Sequence, residues 1–259
     1  MCRKKSFLIF IDITVIIVFR FPSCYYNEIK QRKGKSMCGR FTITLEPAFF
    51  QQELELGNLP SEWVPRYNAA PGQPIPVVKD GESRDVTMLC WGLVPHWAKD
   101  ISIGYKMINA RSETLQVKPS FKNAFKSRRC LILADGFYEW QQPVAKGTPK
   151  APFRFTLKDG SPFAFAGLWE SWHSPENEDL QTCTIITCQP NELLAPIHNR
   201  MPVILDRQSC REWLVEKPEE ELAGLLKPYP PEAMTGYPVG QWVNNPRFDD
   251  AKCIERLAG

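Results

Sequence analysis

Residues 152–170 read "PFRFTLKDGSPFAFAGLWE". Two runs of strand-forming residues flank Asp159-Gly160, a dipeptide that favours tight hairpin turns. The stretch predicts a hairpin of two strands, and so a core built on a sheet. Upstream, "RCLILADGFYEW" (129–140) predicts a buried strand that breaks at Asp135-Gly136 and then resumes. "PIPVVKDGESRDVTMLCWGL" (74–93) predicts a second hairpin about Asp80-Gly81. "RFTIT" (40–44), "TCTIIT" (182–187) and "MPVIL" (201–205) read as further strands. Helical spacing behind an early proline marks "EPAFFQQELEL" (46–56) as a helix. "PSFKNAFKS" (119–127), "REWLVEK" (211–217) and "EEELAGLL" (219–226) read as short helices. Many antiparallel strands among short helices predict an α+β fold with a curled, barrel-like sheet.

The chain has 259 residues, 43% of them hydrophobic, enough for one globular domain of fair size. Its 23 prolines favour short elements over long helices. No repeat of solenoid length is visible. The net charge of +3 is unevenly placed. Residues 1–36 hold eight Lys/Arg and two acids, which leaves 24 basic against 27 acidic residues in 37–259. A nucleic-acid role for the domain therefore needs a local patch and cannot rest on net charge. Nine cysteines include no Cys-x-x-Cys pair and no zinc spacing. They read as buried, reduced thiols of a cytoplasmic protein, with no metal and no cofactor expected.

Residues 1–36 stand apart. "SFLIFIDITVIIVF" (6–19) contains Asp12 and is shorter than the roughly 20 apolar residues of a membrane span. Basic residues ahead of it resemble a secretory signal, but no small-x-small cleavage site follows. Arg32-Lys33-Gly34 can be encoded by purine-rich codons of ribosome-binding type a few nucleotides before Met37. The expectation is a start at Met37, an extension over 1–36, and a single domain over 37–259 with no membrane association. A genuine anchor or a disordered extension are the alternatives.

A start at Met37 makes Cys38 the second residue, and removal of the methionine leaves a free N-terminal cysteine. Its amine can condense with an aldehyde, and its thiol can then close a five-membered thiazolidine. An α-amine is about a tenth neutral at pH 7, whereas a lysine is neutral at well under about 0.1%. Met-Cys alone is a weak signal. It stands at the head of eight ordered motifs: "MCGRF" (37–41), "RYNAAPGQ" (66–73), "WGLVPHWAKD" (91–100), "NARSET" (109–114), "RRCLILADGFYEW" (128–140), "FAGLWE" (165–170), "TIIT" (184–187) and "IHNRMPVIL" (197–205). Together they closely resemble the SRAP (SOS response-associated peptidase) family of abasic-site processing proteins, over nearly all of Met37 to about Trp242.

The resemblance implies a covalent thiazolidine crosslink between Cys38 and the ring-opened aldehyde of an abasic site in single-stranded DNA. It implies Asn109, Glu139 and His198 as the other catalytic residues. Glu139 suits proton shuttling, His198 protonation of the sugar oxygen, and Asn109 hydrogen bonding to the amine and thiol. Taken singly, each has a plainer reading: a paired carboxylate, a structural histidine, a helix cap. Arg40 and Arg111 are the first phosphate-contact candidates, with Arg66, Arg128, Arg129 and Arg200 behind them. Trp91 and Trp97 are candidates for base stacking, Trp97 equally for the core. Asn68, Ala70 and Pro71 form a loop like the family's DNA-facing one. The partner expected is abasic single-stranded DNA, bound by a monomer that joins the nucleoid during repair. Two other functions remain open: a cysteine peptidase using Cys38 and His198 in self-processing, and a non-catalytic single-strand-binding module.

Overall fold

The computed structural model describes residues 38–79, 81–143, 148–174 and 179–257. The leader and Met37 fall outside them, as does Asp80. The strands among the described residues are β1 (Phe41–Ile43), β2 (Arg66–Ala69), β3 (Pro74–Val78), β4 (Val86–Trp91), β5 (Asn109–Arg111), β6 (Arg129–Ala134), β7 (Gly136–Gln141), β8 (Ala151–Leu157), β9 (Phe163–His173), β10 (Asp179–Cys188), β11 (Met201–Pro202), β12 (Ile204–Leu205) and β13 (Met234–Pro238). The α-helices are α1 (Pro47–Leu54), α2 (Pro119–Ser127), α3 (Arg207–Leu214) and α4 (Glu219–Gly224). None is long and apolar enough to cross a membrane.

The α+β expectation holds. β10, β4, β3, β6 and β9 pair in that order, and β9 pairs again with β10, closing a barrel. Closure removes the exposed edges that an open sheet would present. β5, β11 and β12 extend the barrel. A second sheet, in the order β13-β8-β7-β1-β2, is antiparallel throughout. Phe41 of β1 packs edge-on against Trp91 and Phe165 of the barrel. One continuous apolar core therefore spans both sheets.

Two sequence expectations change. The run 152–170 is not a hairpin. β8 pairs with β7 and β13 in the second sheet, while β9 pairs with β6, β10 and β12 in the barrel. Gly160 does adopt a left-handed φ of 74°, so the turn exists. The connection is longer than a tight two-residue loop, however, and ends at Pro162, which has no N–H to continue a ladder. "MPVIL" divides too, because β11 joins β10 and β12 joins β9. The hairpin of β3 and β4 forms as predicted, with Pro74 opposite Cys90 and Val78 opposite Val86.

The break at Asp135-Gly136 is a change of sheet. β6 ends in the barrel and β7 begins in the second sheet. The buried Asp135 carboxylate fixes this pivot, accepting hydrogen bonds from Thr42 Oγ1 (2.5 Å), Thr44 N and Oγ1, and Leu45 N (2.8 Å). Arg154 Nη2 adds an ion pair at 3.3 Å. A Cβ on Gly136 would lie 2.7 Å from Thr42 Oγ1 and 2.9 Å from Arg154 Nε, so only glycine fits there. The pivot sets the course of β7, which carries Glu139.

Candidate active site

β1 and β7 run antiparallel, with Phe41 opposite Phe137 and Thr42 opposite Gly136. Continued backwards, this register puts Gly39 opposite Glu139, and so Cys38 one step along from Glu139. The two make direct contact: Cys38 N–H donates to Glu139 Oε1 at 2.9 Å and the Cys38 thiol donates to the same oxygen at 2.6 Å. Cys38 is buried and has a φ of 38°, a left-handed conformation that is strained for a residue with a Cβ. Glu139 is 1% exposed. Burial pushes its carboxyl up to about 7, against the opposing pull of the Cys38 hydrogen bonds. Burial, and then the Glu139 charge, push the Cys38 thiol well above its ordinary value.

His198 completes the cluster on the other carboxylate oxygen, with Nδ1 4.0 Å from Glu139 Oε2. Burial lowers its proton affinity, a hydrogen bond to the Arg200 backbone raises it, and the Lys150 charge lowers it again. Asn109 lies on β5, opposite Ile185 of β10, and is half-buried. Three residues beyond Ile185 is Cys188, whose charge acts on the Cys38 thiol. The capping role considered for "NARSET" does not match the structure. Asn109 is in a strand, and Arg111, which flanks the 3-10 turn Ser112–Thr114, makes no side-chain cap. The cluster has the parts for proton transfer: a dry carboxyl near neutrality, touching a nitrogen and a sulfur of one residue, with an imidazole behind it.

Residues 37–246 match the family model described as SOS response associated peptidase (SRAP). The chain belongs to the SRAP family. Abasic site processing protein YoqW of Bacillus subtilis (strain 168) is 47% identical over 227 residues, covering 85% of this chain and 99% of that protein. Abasic site processing protein HMCES of Xenopus tropicalis is 32% identical over 265 residues, covering 85% of this chain and 78% of its own length. A crystal structure of a Bacteroides thetaiotaomicron protein superposes with a TM-score of 0.65 at 30% identity, covering 71% of this chain and 82% of that one.

The SRAP motifs mix surface and core residues, and several DNA-facing expectations fall in the core. Trp91 is 1% exposed; its indole N–H donates to Ile108 O at 2.9 Å. It ends a barrel strand and packs inward, so it cannot stack on bases. Asn68 is 0% exposed, and its amide donates to the carbonyls of Val243, Asn245 and Phe248. It ties down the C-terminal segment and presents no atom to DNA. Arg129 is buried and spends its guanidinium on carbonyls at the ends of α2 and α3: Phe125, Lys126, Trp213 and Val215. Arg200 is also buried, paired with Glu113.

Other expectations reach solvent. Arg111 is exposed at the end of β5. Trp97 is 50% exposed, which settles its core alternative against the core. Pro71 is half-buried in the turn between β2 and β3. Arg40 is half-buried and donates to Asn68 Oδ1 (3.0 Å) and Val243 O (2.6 Å). Arg128 pairs with Glu170 at 2.9 Å, and Arg66 with Asp249. Sequence reasoning missed the segment over 241–253. There Val243 and Cys253 join Tyr138 in a small second core, and Trp140 Nε1 donates to Asn244 Oδ1 at 2.7 Å. "NNPRFDD" reads as loop, and no local pattern points to this docking.

Proposed function

We propose that the protein captures abasic sites in single-stranded DNA as a thiazolidine on Cys38. The observation that carries this reading is the convergence of Cys38 N and Sγ on one buried carboxylate oxygen of Glu139. The reacting form begins at Cys38, so that the peptide N–H seen here becomes an amine. The amine attacks the aldehyde carbon of the opened sugar, and the carbinolamine loses water to give a Schiff base. The thiol sulfur then adds to that carbon, its proton ends on the nitrogen, and one water has been released overall. Ring closure removes the iminium that would otherwise drive β-elimination and strand breakage. Glu139 is placed to move the protons at nitrogen and sulfur, and His198 to supply one to the sugar oxygen. Relatives named as abasic site processing proteins support the substrate class.

Intact-mass measurement of crosslink-competent protein tests this. The expected mass is that of a chain beginning at Cys38. Crosslinked protein that still carries residues 1–36 would sink the α-amine mechanism.

The left-handed Cys38 backbone favours a second, compatible reading, self-processing at the Met37–Cys38 bond. Glu139 takes the thiol proton, Sγ attacks the Met37 carbonyl carbon, and the C–N bond breaks as nitrogen is protonated. Water then hydrolyses the thioester. The cut relieves strain of order 1–3 kcal/mol and frees both reacting groups.

Arg111 is the best-placed phosphate contact. Arg111→Ala is expected to weaken binding to undamaged single strands and to lower the slope of log K against log salt by about 0.7. A titration series in salt reads this directly; an unchanged slope removes Arg111 from the interface.

A further inference from the structure

One buried guanidinium joins three parts of the site. Arg200 ends the loop that carries His198. Its Nη1 and Nη2 meet Glu113 Oε1 and Oε2 at 2.5 and 2.9 Å, and Nη2 also donates to Thr187 O at 2.5 Å. Glu113 sits in the turn directly after β5, and Thr187 near the end of β10. The strand bearing Asn109 and Arg111, the strand leading to Cys188, and the His198 loop are thus tied at one point. The backbone of Arg200 faces the imidazole. Its N–H lies 3.2 Å from His198 Nδ1, and its carbonyl oxygen lies 3.4 Å from the same nitrogen.

We propose that Glu113 and Arg200 are a positioning pair that keeps His198 able to take and give a proton without leaving its place. It rests on the reading of Cys38, Glu139 and His198 as the reacting centre. In the neutral ring, Nδ1 accepts the Arg200 N–H, which puts the ring proton on Nε2. In the charged ring, Nδ1–H donates to the Arg200 carbonyl and faces Glu139 Oε2. One residue's backbone serves both states, provided that its orientation is fixed, and the bidentate fork fixes it. The Arg200 guanidinium holds the Glu113 carboxyl down to about 2, so the clamp stays ionised while His198 titrates. Among the described residues, the other charged and titratable groups facing His198 are Glu139 and Lys150, with the Cys38 thiol on the far side of Glu139.

The test uses protein beginning at Cys38, with Glu113→Ala and the near-isosteric Glu113→Gln, and Glu113→Asp as the conservative rescue. The first readout needs no DNA. With three histidines in the chain, the imidazole nitrogens can be followed by NMR through a pH titration. Wild type is expected to hold the Nε2–H tautomer. Glu113→Ala is expected to mix tautomers and to raise the His198 midpoint as the loop admits water. The second readout is crosslinking rate against pH on abasic single-stranded DNA. A loss of about tenfold to 100-fold is expected, with the inflection moving in step with the NMR midpoint and partial recovery in Glu113→Asp. If Glu113→Ala does not fold, Glu113→Gln carries both readouts. Unchanged tautomer and midpoint in a folded variant overturn the proposal, as does a changed tautomer with an unchanged rate. A wild-type protein that forms no crosslink defeats the crosslinking reading instead, and the NMR titration still decides the pairing.

Discussion

Cys38→Ser is expected to abolish the heat-stable link to abasic single-stranded DNA, from near-complete to background, while a borohydride-trappable Schiff base survives. Serine keeps the α-amine, and its hydroxyl can still donate to Glu139 Oε1 where the thiol does at 2.6 Å. The fold and the first chemical step are therefore preserved. Ring closure is not, because a hydroxyl is a far weaker nucleophile toward the iminium carbon than a thiol. The stranded Schiff base then hydrolyses or eliminates, so cleaved DNA should accumulate with the variant where wild type protects the strand. Denaturing gels of the complex, with and without borohydride, read both outcomes. A crosslink as heat-stable as wild type would take the thiol out of the chemistry. Loss of the trappable species as well would show that the amine is not the first nucleophile.

What was legible in the sequence was local. In α2, Pro119 at the first turn and the spacing of Phe121, Ala124 and Phe125 specify the helix that forms, Pro119–Ser127. Strand existence was legible; strand partnership was not, because partners are chosen by what lies across the core. Residues 152–157 and 163–170 are separated by a plausible turn, yet each packs in a different sheet. For the candidate site, ordered motifs singled out Cys38, Glu139 and His198, whose side chains lie together in the fold. They could not tell which side of a strand faces solvent. β4 buries Leu89, Cys90 and Trp91 in succession, so alternation gives no warning that Trp91 is core. Glu113 and Arg200 lie 87 residues apart, and two opposite charges at that separation leave no trace in a single sequence.

Glu139→Gln and His198→Ala are each expected to slow crosslinking by about 10²–10⁴-fold, or at least about tenfold where solvent substitutes for the lost group. Glutamine keeps an oxygen for the Cys38 N–H but cannot hold a proton, so the variant separates hydrogen bonding from proton transfer. Wild type should show an inflection from Glu139, below the midpoint of about 7 that the carboxyl has beside a peptide-bonded Cys38 because the free amine stabilises the carboxylate, and Glu139→Gln should lose it. The same group predicts a stability effect of definite sign. Its carboxyl titrates near 4.5 when exposed and near 7 when buried, so between those values the folded chain binds more protons than the unfolded one. Stability therefore falls as pH rises through this window, by up to about 3 kcal/mol above pH 7. Glu139→Gln escapes that loss, and its Tm should gain on wild type between pH 4.5 and pH 8. The gain belongs to chains whose Cys38 nitrogen is in a peptide bond. A free ammonium 2.9 Å from Oε1 would stabilise the carboxylate and shrink it. Binding to undamaged single strands at one salt concentration should change little in either variant, since neither side chain is assigned to phosphate. Wild-type crosslinking rates in both variants would remove the proton-transfer roles and leave the family membership standing. Binding that falls in proportion to rate would instead make Glu139 and His198 walls of the DNA groove.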